Sequence, residues 1–134
     1  MRLNAKEKDF VQCQRVARVA TVASNGVAHN VPVCPLFEDN KIYFGSERSA
    51  RKVRNIEGNP RVTIAFDEYT EAWNYLRGVM LQGTARVVKA KEFRELRKKF
   101  YAKYSQYERN APLGERDSAI VEVTPERKFS WGIE

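Results

Sequence analysis

Residues 18–37 read RVATVASNGVAHNVPVCPLF. A run of small and β-branched residues, 18–24, meets Asn25-Gly26 and is answered by a second apolar run, 27–37. Asn-Gly between two such runs is the strongest short hairpin signal, because the tight turn needs positive φ at both central positions. The stretch therefore predicts two antiparallel strands. Pro32 and Pro35 cannot donate to a ladder, which puts the second strand at an edge or a bulge. Glu38-Asp39-Asn40 then turns the chain into a third strand, KIYFGS, residues 41–46.

The same alternation recurs downstream. RVTIAF (61–66) alternates as a strand. In 79–87, Val79, Leu81, Gly83, Ala85 and Val87 mark one face and Met80, Gln82, Thr84 and Arg86 the other. AIVEVTP (119–125) and KFSWGI (128–133) supply two last strands. Helices are predicted from Asn4, a capping residue, to about Val16; from Ala50 through Val53 and Ile56 to Gly58; and from about Lys91 to Tyr107, where Phe93, Leu96, Phe100, Tyr104 and Tyr107 form a stripe with basic residues outside it. Residues 67–77, DEYTEAWNYLR, read as a loop or a short helical turn, and 110–117 as a loop.

Six or seven strands, mostly joined as hairpins, predict a mainly β fold: a closed or partly closed antiparallel barrel with flanking helices. Too few strand pairs have a helical crossover for a parallel α/β sheet. The 134 residues carry no internal repeat, low-complexity segment or linker, so a single domain over 1–134 is expected. With 43% hydrophobic and 31% charged residues, no apolar run approaches a membrane span and the N-terminus lacks a signal-peptide core. The expected location is cytoplasmic, with no membrane partner. Cys13 and Cys34 form no C-x-x-C motif, which fits reduced thiols, and one histidine with two scattered cysteines predicts no metal site. Cys34 is expected to be a small buried residue, with a redox-active thiol as the alternative; His29 is expected to hydrogen-bond at the surface, with a proton donor near a cofactor as the alternative; Trp73 either covers a cofactor edge or packs its loop.

The net charge of +7 points to an anionic partner: a nucleic acid, a membrane surface or a phosphorylated ligand. Residues 45–60, GSERSARKVRNIEGNP, concentrate that charge. Arg51 and Lys52 open a helix, where the macrodipole favours acidic residues. A bound phosphate would compensate them, with first-turn N–H groups pointing at it. Ser46 and Ser49 offer hydroxyl donors or a cap, and Gly45 lets the backbone come close. Spacing alone leaves this reading and a plain solvated helix both open, the latter with Glu47 or Glu57 pairing the cations. No catalogued phosphate loop is present.

Four segments, in this order, resemble the pyridoxamine-phosphate-oxidase-like FMN-binding split-barrel family, single-domain subgroup: RVATVASNGVAHNVPVCP (18–35), KIYFGS, SARKVRNIEGNPRVTIAF (49–66) and VMLQGTARVV (79–88). The resemblance implies a split β-barrel homodimer with FMN between subunits. It implies that Arg51 and Lys52 grip the FMN phosphate, with Gly45, Ser46 and Ser49 at the ribityl-phosphate end. It places Arg18, Val19, Ala20 and Thr21 along the flavin, Pro32 and Val33 near the ring, and Trp131 as an aromatic brought toward the cofactor. The vitamin-B6 oxidases have a glutamine at the position of Gly78 and a longer C-terminal substrate-binding segment not found here, which argues against pyridoxamine-phosphate oxidation. DEYTEAWNYLR resembles a subgroup labelled deazaflavin-dependent.

The expected function is thus an FMN-binding flavoprotein, a flavin-dependent oxidoreductase acting on an unidentified small molecule, with no side chain singled out as catalytic. Alternatives are a deazaflavin-dependent reductase of the same fold and a non-catalytic flavin- or haem-binding protein. A nucleic-acid-binding basic barrel is remote, since its cations lie on helices without aromatic interleaving on one sheet face.

Overall fold

The computed structural model describes residues 1–133. Helix α1 (Ala5–Cys13) leads into β1 (Ala17–Val22), β2 (Ala28–Val33), β3 (Pro35–Glu38) and β4 (Lys41–Glu47). Helix α2 (Arg51–Gly58), β5 (Arg61–Glu68), a 3-10 turn (Trp73–Tyr75) and β6 (Arg77–Val87) follow. Then come α3 (Ala90–Lys103), α4 (Gln106–Asn110) and β7 (Ser118–Trp131). No helix among these is long and apolar enough to cross a membrane.

The strands form one antiparallel sheet in the order β2-β1-β5-β6-β7-β4-β3. Strands β2 and β3 are the two edges of that sheet, yet only Cys34 separates them in sequence. A single residue cannot span a flat seven-stranded sheet, since strands lie about 4.8 Å apart. The sheet must curl until its edges meet, giving a barrel that stays split between them. Both prolines of the opening stretch, Pro32 and Pro35, therefore sit on edge strands, as their missing N–H requires.

Turn chemistry differs from expectation in an instructive way. At Asn25-Gly26 only Gly26 has positive φ, 86°. The loop is Ser24-Asn25-Gly26, closed by Ala23 N donating to the Val27 carbonyl and Gly26 N donating to the Ala23 carbonyl. The two-residue turn with two positive φ values is the next one: Asp39 (51°) and Asn40 (61°), closed by Glu38 and Lys41. Asn40 also fastens the N-terminus, accepting from Leu3 N and donating to the Met1 carbonyl.

Four element boundaries need correction. The segment 27–37 is two strands broken at Cys34. Helix α1 stops at Cys13, three residues short of Val16, though Asn4 caps it in a full capping box with Glu7. The 91–107 helix breaks into α3 and α4. The final segment is one 14-residue strand, not two. The first of the two expected strands ends at Pro125, but the ladder continues with a shift there: Gln82 faces Arg127 while Gly83 faces Pro125. Glu126 is the extra residue of a bulge, which absorbs the absent proline donor. Gly83 is required at that point, because a side chain would run into the Thr124 carbonyl.

Two apolar clusters hold the chain together. The larger fills the barrel with Val19, Ile42, Phe44, Ile64, Phe66, Leu81 and Val121, closed off by Phe10 of α1 and Val53 and Ile56 of α2. The second lies outside it, where Phe93, Leu96 and Phe100 of α3 cover Leu36, Tyr43 and Ile120. The middle of β4 and residues 118–123 of β7 are thereby buried on both faces, so alternation is lost there.

Candidate functional site

Helix α2 begins at Arg51, so both cations stand in its first turn. Its N-cap is Ala50, and no side chain caps it. Ser49 does not cap the helix, and the Ser46 hydroxyl donates instead to the Glu47 carbonyl at 2.9 Å. Among the described residues Arg48, Arg51, Lys52 and Arg54 make no side-chain hydrogen bond or ion pair. Neither Glu47 nor Glu57 pairs them. Lys52 lies about 100° round the helix from Arg51 and is half-buried; desolvation lowers its pKa, and attraction to Glu47 only partly offsets this.

Arg51 looks into a cleft of about 600 Å³ shared with His29, Val31, Asn55 and the β1–β2 hairpin. No carboxylate lines it. Beneath it, Asn55 Nδ2 donates to Thr21 Oγ1 at 3.0 Å, a buried bond that locks α2 onto β1. An uncapped helix start bearing unpaired cations beside a cleft without carboxylates has the donor set a phosphate needs.

The other predicted residues spread around this point. Gly45, Ser46 and Ser49 line a second, larger cleft of about 830 Å³, together with Arg48, Tyr107 and Arg116. Gly45 is closely packed: an added Cβ would stand 3.0 Å from Leu113 Cδ2. In β1, Val19 and Thr21 turn inward and are fully buried, so any part they take in a site passes through their backbone. Arg18 and Ala20 face outward. Arg18 pairs with Asp67 at 3.1 Å, and Ala20 lines an outer-face cleft with Arg61, Gln82 and Arg127. Pro32 and Val33 pair with Arg18 and Ala17; Val33 is buried and Pro32 exposed. Trp131 lies across the sheet from Gly78, with its ring where a Gly78 side chain would stand. The predicted set thus divides among the α2 cleft, the β4 cleft and the outer face of the sheet.

His29 and Asn55 were missed as site residues. The signal for His29 was present: it shares β2 spacing with Val31 and Val33, and so faces the same way. Cys34 is exposed rather than buried. Trp73 is exposed and donates to the Tyr69 hydroxyl at 3.2 Å, within its own loop.

A different polar centre is structural. Glu122 on β7 is 4% exposed and accepts from Tyr43 Oη at 2.9 Å and Arg86 Nε at 2.9 Å, with Lys41 at 3.4 Å. Burial alone would raise its carboxyl pKa, but the bonds from Arg86 and Tyr43 outweigh that and hold it below the usual carboxylate range. The same burial and the same carboxylate push the Tyr43 phenol up. A depressed folded pKa stabilises the fold above the unfolded carboxylate value, and this is lost as pH falls through the folded one. Glu122→Gln is expected to cost about 2 kcal/mol at pH 7. The gap from wild type should narrow below about pH 4.5, as read by urea midpoints across pH 3–7. A gap independent of pH would contradict the assignment.

A family model described as pyridoxamine 5'-phosphate oxidase matches residues 3–132. The chain belongs to that family. As a family member it is 26% identical over 145 residues to 5a,11a-dehydrotetracycline/5a,11a-dehydrooxytetracycline reductase of Streptomyces rimosus, covering all of this chain and 86% of that protein. Its fold matches the heme storage protein HutZ from Vibrio cholerae at TM-score 0.83 and 19% identity, over 99% of this chain and 97% of that one. It matches an FAD-binding protein from Mesorhizobium loti at TM-score 0.75 and 20% identity, over 96% and 93%. The split barrel expected from sequence is the fold of this family.

Proposed function

We propose that the chain is a cytoplasmic, single-domain flavoprotein that binds FMN and acts as a flavin-dependent oxidoreductase on a small molecule. The observation that carries this is the pair of unpaired cations at the uncapped start of α2, with Arg51 facing a cleft free of carboxylates. Family membership supports a flavin, and the 26% identity to a reductase supports turnover. Bound FMN supplies the hydride and electron chemistry. The chain's part is binding and orientation. Arg51 and Lys52 hold the phosphate, Gly45, Ser46 and Ser49 border the ribityl-phosphate end, and the backbone of 18–21 with Pro32 and Val33 follows the flavin. Trp131, seated on Gly78, gives the ring an apolar neighbour.

The working form is a homodimer with the cofactor between subunits. The exposed aromatics Tyr69, Trp73, Tyr75 and Phe129 near the β5–β6 loop and the end of β7 support such an interface, since large apolar side chains are usually covered.

The test is the visible absorption spectrum of the purified protein, with the released cofactor identified and sedimentation run alongside. An oxidised-flavin spectrum, FMN on denaturation and a dimer are expected. A deazaflavin spectrum would move the reading to a deazaflavin-dependent reductase, and a Soret band to haem binding. A stable monomer with full FMN binding would refute the shared site.

A further inference from the structure

His29 is the chain's only histidine. It is half-buried on β2, directly across from Thr21. Thr21 is bonded to Asn55, which stands one helical turn after Arg51 on α2. This buried bond fixes β1 and α2 so that His29 and Arg51 border one cleft of about 600 Å³. The charged groups around the imidazole are few. Helix α2 contributes Arg51, with Lys52 and Arg54 on its adjoining faces. Strand β1 contributes only neutral Thr21, and the hairpin contributes neutral Asn25 and Asn30. No acid offsets Arg51 within the cleft.

We infer that His29 is a proton-carrying phosphate ligand, which takes up a proton from solvent as a phosphate monoester dianion enters the cleft. The inference rests on the phosphate-binding reading above and adds a residue and a pH response to it. A dianion held by Arg51 in the same cleft favours the protonated imidazole. Imidazoles ordinarily titrate near pH ~6.5, so this proton uptake falls around neutrality. FMN affinity then declines as pH rises through that range, whereas riboflavin, lacking the phosphate, is held without the proton.

One histidine gives one imidazole resonance, so proton NMR reads the group directly in the intact protein. The titration midpoint of His29 is expected to move up by about one pH unit or more with saturating FMN, to move in the same direction with inorganic phosphate, and to stay put with riboflavin. In parallel, the FMN affinity ratio of wild type to His29→Gln should fall about tenfold between pH 5.5 and 8.5; the phosphate's own ionisation is common to both proteins and cancels. A midpoint unmoved by FMN, in a protein that still prefers FMN to riboflavin, overturns the inference and leaves the phosphate site standing. FMN bound no more tightly than riboflavin overturns the phosphate reading and this inference together.

Discussion

Replacing Arg51 and Lys52 together by alanine is expected to weaken FMN binding by about 10²–10⁴-fold while leaving riboflavin within about threefold. Each cation makes a charge-assisted contact to a dianion, of about 1.5–3 kcal/mol, and each 1.4 kcal/mol is about tenfold. The folded protein without ligand should respond in the opposite direction. Two cations in the first turn oppose the macrodipole, and their removal should stabilise it by a few tenths of a kcal/mol, about 0.5 in all. Lys52 strengthens this expectation, because its half-buried ammonium has no ion-pair partner among the described residues. Isothermal titration and urea unfolding on the same variant separate the two roles. A destabilised protein that loses FMN and riboflavin equally would mean that the pair is structural.

Phe100→Ala is expected to cost about 4 kcal/mol, or about 15 °C in Tm at roughly 4 °C per kcal/mol for a chain of this size. Phe100 is fully buried in the cluster that docks α3 on the barrel. It meets Tyr107 edge to face at 5.9 Å, and Tyr107 in turn lines the β4 cleft. Burial raises the Tyr107 phenol to about 12, so it is neutral throughout the physiological range. The larger core inside the barrel contains no α3 residue. The variant should therefore keep its β structure by circular dichroism while its melting point falls. A loss below about 1 kcal/mol would mean that α3 is only loosely attached.

Much of the architecture was legible because strand alternation survives wherever one face is wet. In β6 the inward set Val79, Leu81, Gly83 and Ala85 is the one read from sequence. The failures have local physical causes. The first of the two expected strands ends at Pro125, but a bulge accommodates the proline. The stripe from Phe93 to Tyr107 read as one helix, but the helix ends at Lys103 and Tyr104 lies beyond it in extended conformation. Lys103 Nζ, meanwhile, donates to the carbonyls of Gln14 and Pro35, both at 2.9 Å. Asn25-Gly26 gave the right hairpin with the wrong loop, since a three-residue loop needs positive φ only at its glycine.

The site was legible in part. The wrongly charged helix start shows in sequence because a macrodipole rule is broken there. Asn55 does not, because its role arises only when α2 is laid across β1; for His29 the spacing with Val31 and Val33 gives the direction it faces but not the helix it meets. Val19 and Thr21 show the reverse limit. A strand can be matched to a ligand by resemblance while the side chains of alternate residues point into the core.

The central claim is that the phosphate, not the ring, anchors the cofactor. It is tested most directly by the ratio of the intact protein's affinities for FMN and riboflavin, measured by flavin fluorescence at pH 7 and fixed ionic strength. A preference for FMN of at least about a hundredfold is expected from two charge-assisted contacts. Equal affinities, or no binding of either flavin, would contradict it.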